Sequence, residues 1–389
     1  MVTKREIDLQ PQTLVAQAMG EICPVTGAVI PPVQVATTYA RDSGYETRDG
    51  RSYIRDSSPT VEQAENIICA LEKGQQGMLF PSGLSACTAA FHCLKKGDHI
   101  VLAQTLYHGV TAWVEEFAGH YGLTVSYFDS TNVDTLDRVI VKGKTKLVWA
   151  EVIANPTWVV ADINAIAHSA HRAGAMLAVD ATACTPVLCQ PLIHGADLVC
   201  HSATKYLNGH SDVLAGVLVC KHAESQLWQR IKKYRYLAGP MPGARDSYEL
   251  IRGMKTLYLR VYQQSENALA IARVLAEHDA VETVYYPGLE SSAFHSIAKK
   301  QFSGGFGGML SIIVKGDKKQ AIEVVLSTKL WKPATSLGGV ESLIEHRKTS
   351  EGDITSTPDN LIRLSTGIEH VDDLIEDLDQ ALTKIIHTS

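Results

Sequence analysis

No stretch of 18 consecutive apolar residues occurs in the 389-residue chain, so neither a membrane-spanning helix nor a membrane partner is expected. The opening MVTKREIDLQPQTLVAQAMG is mixed polar and lacks the apolar core of a secretory signal, so none is expected there. Basic character is missing too. The 36 Lys and Arg stand against 42 Asp and Glu, a formal charge of −6, which argues against nucleic acid or an anionic surface as the main partner. The eight cysteines, Cys23, Cys69, Cys87, Cys93, Cys184, Cys189, Cys200 and Cys220, form no CxxC pair and no zinc-like spacing, so no metal is expected. They fall mostly inside apolar runs, the pattern of reduced, buried thiols in the cytoplasm. Low-complexity tracts and internal repeats are absent. What remains is an ordinary globular composition, 45% apolar and 20% charged, long enough for two or three domains.

Residues 1–60 are rich in Gly, Pro, Tyr and Arg with weak periodicity, and read as an extended arm. A helix is expected from Thr60, capped by Thr60 with Gln63 three residues on and ended by Gly74. Short apolar runs then alternate with helical stretches: GMLF (77–80), HIVLA (99–103), KLVWAEVI (146–153), AMLAVD (175–180), ADLVCHS (196–202) and AGVLVC (215–220). Continuous apolar strands separated by helices predict an α/β fold with a mainly parallel sheet covered on both faces. Ligands of such sheets sit beyond the carboxyl ends of the strands, where Ser82, Asn155, Asp180 and Ser202 would gather. Beyond residue 250 a long helix, 251–278, leads into FGGMLSIIV and a final helix near 371–386. The expected division is an arm (1–60), a large domain (61–250) and a smaller C-terminal α/β domain (251–389).

Several residues at those strand ends have chemistry to offer. Lys205, in HSATKYLNGHSD, closely follows an apolar strand; burial there would disfavour the ammonium and leave the neutral amine that Schiff-base chemistry needs. Ser202 and Thr204 either bond their own turn or donate to a phosphate. Asp180 either forms a cap or salt bridge, or pairs with a cationic ligand nitrogen such as the pyridinium of pyridoxal phosphate (PLP). FPSGLSA (80–86) is a strand-to-helix turn whose amides suit a phosphate. Tyr107 either packs in the core or stacks on a ligand ring.

HSATKYLNGHSD resembles the lysine motif of the Cys/Met-metabolism family of PLP enzymes, which includes cystathionine γ-lyase, cystathionine β-lyase, cystathionine γ-synthase, methionine γ-lyase and the O-acylhomoserine sulfhydrylases. The resemblance runs in family order through SYIRDSSPT, FPSGLSA, LYHGVT, EVIANPTW, AVDATACTPVLCQPL, RGMKTLYLR, SLGGVESLIEH and LIRLSTGIEHVDDLIEDL. It implies PLP-dependent transferase fold type I, the aspartate-aminotransferase-like architecture. It implies that Lys205 carries the cofactor as a Schiff base and shuttles protons, that Asp180 binds the ring nitrogen, and that Tyr107 stacks on the ring and acts as acid or base. Asn155 would lie near the ring hydroxyl. Ser82, Gly83, Leu84, Ser202 and Thr204 would hold the phosphate. Arg363 would clamp the substrate carboxylate with Ser336, Asn155 and Thr335 nearby. Tyr53 and Arg55 would reach the phosphate of a neighbouring subunit, which implies a homotetramer built as a dimer of dimers.

The same resemblance leaves the reaction open, because elimination and replacement use the same core residues. The leading expectation is γ-elimination on a γ-substituted L-amino acid to a 2-keto acid and ammonia. The alternatives are γ-replacement, as in cystathionine γ-synthase or an O-acylhomoserine sulfhydrylase, β-elimination from cystathionine, and a PLP-binding regulator without turnover. Departures from the family pattern cluster around the substrate. Thr335 stands before SLGG, His108 follows Tyr107, and SLIEHRKTSEG replaces the usual P-x-x-M-T-H ending. These put the familiar substrates in doubt and admit an unusual leaving group, including an oxygen-linked one such as canavanine.

Overall fold

The computed structural model describes residues 9–20, 22–352, 355 and 357–386; the first eight residues of the expected arm lie outside them. Strands β1 (Gln76–Phe80), β2 (His99–Ala103), β3 (Thr124–Phe128), β4 (Thr145–Glu151), a short hairpin of β5 (Ile153–Ala154) and β6 (Val159–Val160), β7 (Met176–Asp180), β8 (Leu198–Ser202) and β9 (Gly216–Cys220) follow one another in the first part of the chain. Without the hairpin they form a seven-stranded sheet ordered β1-β9-β8-β7-β4-β2-β3. The pairings from β8 through β7, β4 and β2 to β3 are parallel. β9 runs against both β8 and β1, so β1 points the same way as the parallel strands. Successive strand residues face opposite sides of a sheet, yet every residue of β2 and β9 is buried. The Ile-, Val- and Leu-rich runs are thus covered on both faces, as their lack of alternation requires.

A second sheet joins β10 (Val281–Tyr285), β11 (Met309–Val314), β12 (Lys332–Pro333), β13 (Leu343–His346) and β14 (Leu361–Ser365) in the order β10-β11-β14-β13-β12. It is antiparallel except at the β12–β13 edge. The helices Leu257–Ala276, Lys318–Ser327 and Val371–Ile386 pack with it around a cluster that includes Ile271, Leu310, Ile312, Trp331 and Leu378. Val371–Ile386 is strongly amphipathic, burying Leu374, Leu378, Leu382 and Ile385 at helical spacing.

Three local expectations change. Helix Pro59–Leu71 begins one residue before Thr60, with Ser58 in the cap position and Pro59 in the first turn, where proline's missing N–H costs nothing. Thr60 Oγ1 instead accepts from Gln34 N at 2.9 Å and donates to Pro32 O, tying the arm to the helix. Residues 251–278 are not one helix. Ala244–Met254 and Leu257–Ala276 break at Thr256, and the Gly253 carbonyl there accepts from Arg260 Nη2 at 2.8 Å. Within the expected arm, Pro11–Ala16 forms a short helix, again with proline at its start.

Candidate active site

Because β1, β4, β7 and β8 point the same way, the residues just past their carboxyl ends meet along one edge. A cleft of about 260 Å³ opens there, lined by Ser82, Gly83, Leu84, Tyr107, His108, Asn155, Asp180, Ser202, Thr204, Lys205, Thr335, Ser336 and Arg363, among others. The loop before β13 and strand β14 of the second sheet close its far wall with Thr335, Ser336 and Arg363.

Lys205 follows β8 directly. Its Nζ donates to Ser336 Oγ at 2.8 Å. Burial, reinforced by the positive charge of Arg363, lowers its pKa to about 8, so an appreciable fraction is neutral near physiological pH. Ser336 holds this position at φ 97°, a backbone conformation costly for any residue but glycine and characteristic of functional sites.

Asp180 ends β7, in register with Glu151 at the end of β4. Both carboxylates are taken out of water, and burial raises the proton affinity of each; Asp180 raises that of Glu151 further. Glu151 accepts the Tyr107 backbone N–H. Asp180 Oδ1 accepts the Thr182 N–H at 2.8 Å, and Thr182 Oγ1 in turn accepts the Ser202 N–H at 2.8 Å, so one threonine links two strand ends. Two buried acids with so few donors form a place that a cationic nitrogen would stabilise.

The start of helix Gly83–His92 also lines the cleft. Ser82 caps it, its Oγ accepting from Ser85 N at 3.1 Å, and the first amides of the helix have no partners within it. Glycine is required by close approach at two neighbouring points. A Cβ on Gly83 would lie 2.6 Å from Ser202 Cβ, and one on Gly216 would lie 2.1 Å from the Ser82 carbonyl oxygen. Ser202 lies in the cleft wall. Thr204 lines it too, but its hydroxyl exchanges bonds with the Ala215 backbone at 3.0 and 3.2 Å, the local turn bonding that is the simpler role for such a residue.

Arg363 is 3% exposed and already engaged. Its Nη2 donates to Ser336 O at 2.7 Å and pairs with Glu345 Oε2 at 2.5 Å, while Nη1 reaches Asn155 Oδ1 at 3.4 Å. Glu345 lies directly across from it in the β13–β14 register. Tyr107 is half-exposed at the head of helix His108–Phe117, its ring 4.5 Å from that of His108. Burial lowers the pKa of His108, and nearby Arg347 lowers it further. Tyr53 and Arg55 do not line this cleft. Both are exposed, with the Arg55 guanidinium over the Tyr53 ring at 5.2 Å.

Sequence reasoning missed Glu151, Thr182, Cys87 and Arg347, all of which line the cleft, and Glu345 behind it. Glu151 had a signal, since it closes an apolar strand as Asp180 does. The others depend on loop paths and on strand register that no periodicity reveals.

The family described as Cys/Met metabolism PLP-dependent enzyme matches residues 12–383. The chain is 39% identical over 365 residues to cystathionine gamma-synthase of Mycobacterium bovis, covering 92% of this chain and 93% of that one. It is 40% identical over 367 residues to cystathionine gamma-lyase of Dictyostelium discoideum, covering 92% and 94%. The crystal structure of metB from Corynebacterium glutamicum superimposes with a TM-score of 0.93 at 36% identity, covering 97% of this chain and 99% of that one. The fold is therefore the mixed α/β architecture of fold type I PLP enzymes, as the resemblance implied.

Proposed function

Because the chain belongs to the Cys/Met metabolism family of PLP-dependent enzymes, we propose that it acts as a lyase, carrying out γ-elimination on a γ-substituted L-amino acid to give a 2-keto acid and ammonia. Its cofactor is pyridoxal phosphate. The cleft suits that group, since it brings together a neutralisable amine, a buried acid pair and the start of helix Gly83–His92, whose first amides have no partners within the helix. Lys205 would hold the cofactor covalently. Asp180 would keep a proton on the ring nitrogen, Tyr107 would stack on the ring, Asn155 would lie near the ring hydroxyl, and Ser82, Gly83, Leu84, Ser202 and Thr204 would seat the phosphate. Bound there, the cofactor supplies an electron sink for charge that develops at the substrate α-carbon.

Lys205, freed when the substrate amine takes its place, would use its Nζ, whose neutral form burial favours, to take the α-proton and to return protons later in the cycle. Ser336 Oγ, 2.8 Å away, restrains where that nitrogen points. Arg363 orients the substrate carboxylate, with Asn155, Ser336 and Thr335 beside it. The Tyr107 hydroxyl gives a proton to the departing γ-substituent. Tyr53 and Arg55, which are exposed and do not line the chain's own cleft, complete the phosphate site of a neighbouring subunit in this reading, so the working unit is at least a homodimer and, by the same reading, a tetramer.

The observation that carries this reading is the buried Lys205 amine, set beside the Arg363 clamp and in the same cleft as the Asp180–Glu151 pair. γ-Replacement uses the same groups, and similarity to a cystathionine gamma-synthase favours it as the second reading. Supplying O-succinyl- and O-acetylhomoserine with and without cysteine or sulfide separates them. Formation of 2-oxobutyrate without a thiol is the expected result. Turnover only with a thiol establishes replacement, and pyruvate from cystathionine establishes β-elimination.

A further inference from the structure

SLIEHRKTSEG, a segment that departs from the family pattern, places a second guanidinium in the cleft wall. Arg347 begins the short helix Arg347–Glu351 just after β13 and is 3% exposed. Its Nε donates to Glu351 Oε1 at 2.7 Å and its Nη1 to Glu345 Oε2 at 3.2 Å, while no group among the described residues accepts from Nη2. The other oxygen of each carboxylate is engaged as well. Glu345 Oε1 accepts from Ser350 Oγ, and Glu351 Oε2 accepts from the Thr355 and Thr357 hydroxyls. Neither glutamate lines the cleft, but both arginines do. The cavity therefore meets the cationic side of this network.

Arg347 and Arg363 touch the same oxygen, Glu345 Oε2, so they are neighbours with different surroundings. Arg363 exerts the strongest charge effect on Lys205, whereas Arg347 exerts the strongest on His108. Arg347, Arg363, Lys205 and His108 all line this cleft, so a substrate held at Lys205 with its carboxylate on Arg363 would have a second guanidinium beside it. We propose that Arg347, propped by Glu345 and Glu351, is the specificity residue that grips an anionic group at the far end of the substrate side chain, so that the enzyme selects γ-substituents ending in a carboxylate. This rests on the assignment of Arg363 to the α-carboxylate and deepens the γ-substituted reading. Uncharged side chains of equal length leave Nη2 unpaired, and cationic ones meet like charge.

The test uses amino acids that lack a γ-leaving group, so it does not depend on whether elimination or replacement occurs. L-2-Aminoadipate, L-norleucine and L-lysine have side chains of similar length ending in a carboxylate, a methyl and an ammonium. Titrating each into the PLP-loaded enzyme, with cofactor absorbance as the readout, gives their relative affinities. Wild type is expected to bind aminoadipate at least about tenfold tighter than norleucine, with lysine weakest, as a desolvated charged hydrogen bond requires. Arg347→Gln is expected to bring the aminoadipate-to-norleucine ratio close to one, and Arg347→Lys to retain part of it. The ratio is read within one preparation, so a loss of folded enzyme does not alter it. A wild-type ratio near one, or a ratio that survives in Arg347→Gln, overturns the proposal. So does an equal weakening of all three ligands, which would place Arg347 at the α-carboxylate or in a purely structural role. Failure of the keto-acid assay with this ratio intact would sink only the γ-elimination reading.

Discussion

In water the Lys205 ammonium would keep its proton to beyond pH 10, but in the cleft burial and the neighbouring Arg363 charge bring its pKa to about 8. Glu345 pulls the other way, yet it is already neutralised by two arginines. The sign of the consequence is fixed. Below about 8 the group is mainly ammonium and cannot attack an aldehyde; above it the free amine dominates. Stripped of cofactor and offered pyridoxal phosphate, the protein is expected to recover cofactor absorbance at a rate that climbs with pH and levels off above about 8. A rise continuing to pH 10 would show that burial does not depress this amine. Asp180 and Glu151 answer burial in the opposite direction, since removing carboxylates from water raises their hold on protons. In the proposed arrangement a cationic ring nitrogen at Asp180 would relieve that cost, so cofactor and acid would stabilise each other's charged forms.

At the level of strands and helices, the site exists because four strands point one way and end at the same edge. That edge was legible in the sequence. The runs HIVLA, AMLAVD and ADLVCHS became β2, β7 and β8 nearly to the residue, and Asp180 and Ser202 close two of them. Continuous apolar runs of five residues leave little freedom, because no other arrangement buries both faces. Helix starts were less legible. Thr60 and Ser58 both suit a cap, and only the arm packed against Thr60 decides between them. The break at Thr256 left no mark in an apolar pattern that continues across it. Glu345 and Arg363 face each other because β13 pairs with β14 over a long sequence separation, which local sequence does not encode. The close approach of β9 to the Ser82–Gly83 turn is similar: Gly216 looks like any strand glycine, yet a side chain there would meet backbone, which has nowhere to go. Gly216→Ala is expected to cost about 2 kcal/mol in stability and to weaken retention of the cofactor. Urea unfolding and dialysis against cofactor-free buffer would measure both. Wild-type behaviour in each would show that the turn can give way.

Over the whole molecule, two sheets divide the labour. The seven-stranded sheet supplies the amine, the acid pair and the Ser82–Gly83 turn, while the second sheet brings in Arg363 and, through the segment after β13, Arg347. Apolar side chains along the first part of the chain remain uncovered in the single chain, with Val25 88% and Val35 70% exposed, beside Tyr53 and Arg55, which stay out of the chain's own cleft. A neighbouring subunit accounts for both features in the proposed oligomer. Family membership, and with it the cofactor, was legible because the lysine motif and the segments around it kept their order along the chain. The γ-substituent was not, since the groups that would read it lie in the segments where this chain departs from that order of residues. The proposed chemistry depends on a covalent link between one lysine and the cofactor. Borohydride reduction of the PLP-loaded protein, followed by proteolysis and mass spectrometry of the peptides, tests it most directly. A pyridoxyl group on Lys205, absent from a Lys205→Ala variant that has also lost turnover, is the predicted result; a label on any other lysine, or on none, would contradict it.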